Sequence, residues 1–376
     1  MRIARITATP VSVPLHVALT AAARATAMSG CLVEVETDEG HVGHGFTSIT
    51  EEEAVAAIVA TVAGPAIIGD DPLAHERIWD KLYWTMMPRG QTGYAAHALA
   101  ALDVALWDIK GKALGQPVWR LIGGARERVP VYVTFGFHFF DRDELAEAAK
   151  FWVSNGFSRL KMTVGHEGLR RRDSAPLMDL IREDAARVRA VRAAVGPGVE
   201  LFIDANCSLD LYHAARLIAM IEDCGIAFFE EPITQNDAPQ MAQLRRKVSV
   251  PLACGQNEGL IFRFRDLLIN EAVDYLQPNV VIGGGFTQCV KIAGMAAAFN
   301  VPIANGGGWA FHNMHLQAGV ANGGLVEHHY LAGEFCQRIY DDLPRPNNGW
   351  LTLPESPGLG FSPNRDAVRE FTTARA

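Results

Sequence analysis

Four short hydrophobic segments in the middle of the chain each run into a polar residue. They are Phe202-Ile-Asp204-Ala-Asn206, Phe228-Phe-Glu230-Glu-Pro, Pro251-Leu-Ala-Cys-Gly-Gln256 and Tyr275-Leu-Gln-Pro-Asn279. Asp204, Glu230, Gln256 and Asn279 follow one another at steps of 26, 26 and 23 residues. A buried strand, a helix and two loops take about that length. In a (β/α)8 barrel all such strand ends surround one mouth, where active sites lie. The spacing therefore predicts one ring of polar side chains.

The pattern on either side agrees. Residues 1–50 read as a meander, with alternation over Met1–Val13 and Cys31–Thr37 and a turn at Asp38-Glu-Gly40. Glu51–Val62, Leu73–Trp84 and the Ala- and Leu-rich Tyr94–Leu114 read as helices. From Val129 strands alternate with helices, which implies a parallel sheet. The expected strands are Val129–Phe135, Arg159–Val164, Glu200–Asp204, Ala227–Glu230, Leu252–Gly255, Tyr275–Pro278 and Val301–Ala304, with one near Leu325–Glu327. Asp143–Asn155, Asp184–Val195 and Leu211–Cys224 are helices between them. The longer gap between Lys161 and Asp204 reads as an inserted loop or helix extension near Gly168–Ser174. The expected division is a capping domain at 1–125, a barrel at 126–345 and a C-terminal segment at 346–376 packing back on the cap.

Length supports that division: 376 residues exceed the roughly 250 of a barrel alone. A net charge of −8 disfavours nucleic acid and anionic membrane as partners. No run approaches the roughly 18 apolar residues that cross a bilayer, and the N-terminus lacks a signal-peptide core. The six scattered cysteines read as reduced thiols, so a cytoplasmic location is expected.

Two carboxylates and an amide facing one another across a mouth suggest an oxygen-ligand site for Mg2+. Lys161 is one of only seven lysines and lies inside an expected barrel strand, Leu160-Lys-Met162. A buried lysine needs a partner or a depressed pKa, and either favours function. Phe135-Gly-Phe137-His138-Phe-Phe140 reads as core packing. The glycines at 306–308 permit close backbone approach to a ligand.

Taken in order, Ala101-Leu-Asp-Val-Ala-Leu-Trp-Asp-Ile-Lys-Gly-Lys-Ala-Leu-Gly115, Leu160-Lys-Met, Asp204-Ala-Asn, Glu230-Glu-Pro, Gln277-Pro-Asn, Gly284-Gly-Phe-Thr-Gln288 and Pro357-Gly-Leu-Gly360 resemble the enolase superfamily, in its mandelate racemase/muconate lactonizing enzyme branch. The resemblance implies an α/β fold: a modified TIM barrel of the (β/α)7β type under an N-terminal α+β capping domain. It implies abstraction of the proton α to a carboxylate, giving dehydration, racemisation, epimerisation or cycloisomerisation. It implies Mg2+, one per subunit, with Mn2+ as the alternative, a small carboxylate substrate such as a hydroxy acid or acid sugar, and a homo-oligomer.

By the same resemblance Asp204 and Glu230 are metal ligands. The third ligand departs from the pattern: Gly255-Gln256-Asn257-Glu258 stands where Gly-Glu is usual, so Gln256 or Glu258 completes the shell. Asn206 matches a residue beside the substrate carboxylate, and Glu327 one that hydrogen-bonds it. Lys161 matches the first lysine of a Lys-x-Lys motif, and the usual base position is Thr163. The Asp of an Asp–His dyad is replaced by Asn279, a candidate substrate contact. The dyad histidine is missing, which leaves His312 as the rival catalytic candidate to Lys161. His16–Ser29 and Met86–Gln91 correspond to mobile, substrate-choosing loops, with Arg89 as a substrate contact. The departures keep two other readings open: a binding protein on the same scaffold, and Schiff-base chemistry at Lys161.

Overall fold

The computed structural model describes residues 1–20, 23–89 and 91–373. The chain opens with a three-stranded antiparallel sheet of β1 (Ile3–Val17), β2 (Arg24–Thr37) and β3 (Val42–Ser48). The stretch expected as a mobile loop over His16–Ser29 is mostly strand. Pairing continues without a break from Arg5↔Glu36 to Val17↔Arg24, so the hairpin extends well beyond the predicted strand ends. Met86–Gln91 holds a helix end and a 3-10 turn at Met87–Arg89. The Arg89 side chain lies outside the described structure.

The helix Tyr94–Leu114 is buried on nearly all faces because it lies between this sheet and the barrel. That explains its uniform Ala and Leu composition. Asp103 on it accepts from the Thr287 N–H at 2.9 Å and the Thr287 hydroxyl at 2.6 Å, across the boundary to the barrel helix Gly285–Ala298. Burial outweighs these bonds and pushes its carboxyl up to about 7.

The barrel strands are β4 (Arg128–Gly136), β5 (Arg159–Thr163), β6 (Glu200–Asp204), β7 (Ile226–Glu230), β8 (Leu252–Cys254), β9 (Tyr275–Leu276) and β10 (Val326–His329). They are parallel neighbours in the order β10-β4-β5-β6-β7-β8-β9. The strand expected at Val301–Ala304 is reduced to one bridge, Leu276↔Ile303. Pro302 has no N–H to give, and glycines follow from 306. Bonds from Ala304 N–H to Leu276 O (2.9 Å) and from Asn305 N–H to Leu325 O (2.8 Å) still close the ring. The long gap before β6 holds a 3-10 turn at Gly168–Arg170 and a helix, Leu177–Val195, that starts earlier than expected.

After the barrel, Trp350–Thr352 pairs antiparallel with β4. The Leu359 N–H binds Asp108 at 2.9 Å, and Thr372 bridges Val11, so the last residues touch both halves. No described helix is long and apolar enough to cross a membrane. Inside the barrel Tyr132, Phe202, Phe228 and Ala253 form a dry layer. It is the floor on which the polar mouth stands.

Candidate active site

Side chains at alternate positions of a barrel strand face inward. That parity brings Lys161 of β5, Asp204 of β6, Glu230 of β7 and Glu327 of β10 to one point above the aromatic layer. The Lys161 Nζ lies 3.1 Å from Asp204 Oδ2, 2.7 Å from Glu230 Oε2 and 2.9 Å from Glu327 Oε1. All four groups are buried. Burial alone would lower the lysine, but the three carboxylates outweigh it and hold the ammonium well above its usual range. Of the two alternatives for a buried lysine, a partner or a depressed pKa, the structure shows partners. A raised ammonium is also the opposite of what a Schiff-base nucleophile needs.

The carboxylates differ among themselves. Burial and then Asp204 raise Glu230 well above the ordinary carboxylate range, against the pull of Lys161. For Glu327 burial is overcome by Lys161, and the group is held low. Its Oε1 also accepts from the Thr134 hydroxyl, and its Oε2 from the Gly308 N–H at 2.7 Å. In this ionised form Glu327 accepts and cannot donate to a substrate carboxylate. Glu230 Oε1 has no hydrogen-bond partner although it is buried. A Cβ at Gly306 would stand 2.7 Å from that oxygen, so only glycine fits there.

Gln256 sits at the predicted place, and its Nε2 donates to Asp204 Oδ2 (3.2 Å) and Glu231 Oε2 (3.1 Å). Glu231 is a further buried carboxylate next to the cluster. Neutral donors hold it: Asn257 Nδ2 at 2.6 Å, Asn236 Nδ2 at 2.9 Å and the Cys207 thiol at 3.3 Å. Its backbone takes a positive φ of 41°, as do Asn206 and Cys207 at 46° and 57°. Such strain gathers where neighbours over-determine the chain.

Other expected residues are elsewhere. Glu258 accepts from Arg263 Nε and Asn236 Nδ2, each at 2.9 Å, and does not reach the cluster. Asn279 is consumed by the glycine loop: its Nδ2 donates to Gly306 O at 2.7 Å and its Oδ1 accepts from Asn313 at 2.9 Å. Thr163 donates to Gly136 O at 3.0 Å. His312 does not reach the mouth. It is buried against Phe46, Tyr340 and Phe361, with ring centroids 5.6, 5.6 and 5.1 Å away. Burial lowers it to about 3. It follows Trp309 within a helix that starts at Ala310, and the helix turns it into the core between cap and barrel.

A pocket of about 110 Å³ opens above the cluster. Asn206, Gln256, Asn257, Gly307, Glu327 and His329 supply its polar wall, and Met28 and Ile49 of the cap overhang it. The Asn206 side-chain nitrogen has no partner among the described residues. Sequence reasoning missed His329. The available signal was its place two residues beyond Glu327 on the same strand.

The donor set suits a hard divalent cation. Three carboxylates share one ammonium, one buried carboxylate oxygen is unpartnered, and all candidate ligands are oxygens. Asp204 and Glu230 supply those oxygens, while Gln256 turns its side-chain nitrogen to Asp204, and no group of three His, Cys, Asp or Glu among the described residues is arranged to hold a metal.

Comparison with known proteins agrees in both halves. Residues 1–123 match the family model described as mandelate racemase/muconate lactonizing enzyme, N-terminal domain, and residues 144–367 match the one described as enolase C-terminal domain-like. The chain is 30% identical over 344 residues to an arabinonate dehydratase of Saccharolobus solfataricus, covering 90% of this chain and 88% of that protein. It is 32% identical over 356 residues to a D-galactarolactone cycloisomerase of Agrobacterium fabrum, covering 90% of each. The crystal structure of an L-talarate dehydratase from Polaromonas sp. JS666, complexed with Mg and L-glucarate, superposes with a TM-score of 0.86 at 29% identity, over 99% of this chain and 98% of that one. With both domains matched and the barrel-mouth carboxylates in place, the chain belongs to the mandelate racemase/muconate lactonizing enzyme family of the enolase superfamily.

Proposed function

We propose that this protein is a metal-assisted lyase or isomerase that removes the proton α to the carboxylate of a small hydroxy acid or acid sugar. The observation that carries the reading is the cluster of Asp204, Glu230 and Glu327 round one ammonium at the barrel mouth. A carbon beside a carboxylate is a very weak acid because its conjugate base is a dianion. Cationic groups at the site lower that barrier. The cluster by itself repels an anionic substrate, so the reading includes a divalent cation, Mg2+ or Mn2+, held by Asp204, Glu230 and Gln256. When bound it offsets the charge that develops on the substrate carboxylate.

The chain's own groups do the rest. Asn206 offers its free amide nitrogen to the substrate carboxylate. Lys161 as ammonium holds the cluster together, and beside a bound cation its pKa would fall, freeing the amine to accept a proton. The glycine loop and the cap residues Met28 and Ile49 narrow the pocket and exclude water. The six free cysteines support a cytoplasmic location for it.

Exchange of substrate α-protons in deuterium oxide tests this with a panel of hydroxy acids and sugar acids. Lys161→Met should abolish exchange and His312→Asn should leave it. Near wild-type exchange in Lys161→Met places the base elsewhere. A second reading, a binding protein on the same scaffold, is favoured by Thr163, Asn279 and His312. All three replace or miss the usual base positions and are tied into structural contacts. Ligand binding without exchange of any acid in the panel would put it first.

A further inference from the structure

The pocket is lined by one imidazole, His329, that the proposed chemistry leaves without a task. His329 ends β10, and alternation turns it inward with Glu327 while His328 between them packs outward near Trp152 and Phe311. Both inward residues line the same pocket. The His329 Nδ1 accepts the Ala332 N–H at 3.5 Å and so caps the helix Tyr330–Ile339. A ring nitrogen that accepts a hydrogen bond carries no hydrogen, so the neutral ring carries it on Nε2. The positive end of that helix also disfavours an imidazolium. No described residue bonds Nε2.

The ring is held from two further sides. Phe137 packs against it with ring centroids 5.6 Å apart. A Cβ at Gly308 would come 3.3 Å from the His329 Cβ, while the Gly308 N–H binds Glu327. One loop residue thus fixes both the carboxylate and the imidazole. Of the rest of the wall only Trp309 carries another ring nitrogen, and that indole nitrogen is itself buried, so His329 is the one imidazole at the pocket among the described residues.

We propose that His329 is a specificity-determining residue whose Nε2–H donates to a substrate hydroxyl oxygen, so that the pocket selects hydroxy-carboxylates over their deoxy analogues. This rests on the pocket being a carboxylate site. Calorimetry in the presence of Mg2+ with tartronate and malonate tests it, since these diacids differ by one hydroxyl. The wild type should bind tartronate about tenfold tighter, as one buried hydrogen bond predicts. His329→Phe should bring the ratio to about one and leave malonate within about twofold of the wild type. His329→Leu gives the same comparison should the Phe variant fail to fold. An unchanged ratio, or an equal loss for both diacids, overturns the proposal and leaves the carboxylate site standing. Failure of the wild type to bind either diacid overturns both.

Discussion

The side-chain nitrogen of Gln256 lies 3.2 Å from Asp204 Oδ2 and acts as a neutral spacer between that carboxylate and Glu231. Replacing it by glutamate removes a donor and adds a third anion in one step. Gln256→Glu should lose about 2–4 kcal/mol of stability without divalent ions, from like charges in a dry site. Mg2+ should restore most of it, and calorimetry should show tighter Mg2+ binding than in the wild type. A variant as stable as wild type without metal, and no better at binding it, refutes the spacer role.

Lys161→Met leaves three buried carboxylates facing one another. The expected cost is about 3–5 kcal/mol, read as a lower denaturant midpoint at pH 7. The sign of the pH effect follows from the directions above. The raised Lys161 contributes stability that is present below the ordinary lysine pKa of about 10.4 and is lost only as strongly alkaline pH passes its folded value. The variant should therefore lack the wild type's alkaline loss, and it should gain on acidification as the orphaned carboxylates protonate.

His312→Phe should keep activity while changing acid stability. The folded histidine titrates near 3, against about 6.5 unfolded. Stability from such a lowered histidine is present above the unfolded value and is lost as pH falls through it. The phenylalanine variant should lose about 1–3 kcal/mol less than wild type between pH 7 and pH 5, by chemical denaturation. Loss of turnover with the fold intact would return His312 to the chemistry.

Asp103 provides the converse case. Its folded carboxyl sits near 7, against about 3.9 unfolded. Stability is fully present below the unfolded value and drains as pH rises toward 7. Asp103→Asn should flatten the profile between pH 5 and pH 8 by about 1–3 kcal/mol and be more stable than wild type at pH 8. A parallel profile would mean that Thr287 keeps the carboxylate ionised throughout.

The ring at the mouth was legible because strand parity and repeat length are local properties. Asp204, Glu230 and Gln256 follow from position alone. What escaped was set by partners distant in sequence. Whether Glu258 turns inward depends on Arg263 and Asn236, and Asn279 is claimed by the carbonyl of Gly306. His312 was misplaced because the helix beginning at Ala310 starts immediately after Trp309 in a left-handed conformation, φ 61°. That turn sends the following side chains into the core. The strand parity that places Glu327 inward also places His329, two residues on. The β1–β2 hairpin outran its alternation because backbone pairing, unlike burial, continues through residues of mixed polarity.

The single bridge at Ile303 makes the barrel wall unequal round its circumference. The amides of Val301, Ile303, Ala304 and Asn305 each donate one backbone bond, to Ala296, Asn322, Leu276 and Leu325, but no continuous ladder runs through them, so this seam should exchange hydrogen faster than the continuous strands opposite. The seam leads directly into the glycines that cover Glu230 and clamp Glu327. A ligand seated over those residues would tighten the wall at its thinnest point, and slowed exchange along 301–308 would report occupancy without any turnover being measured.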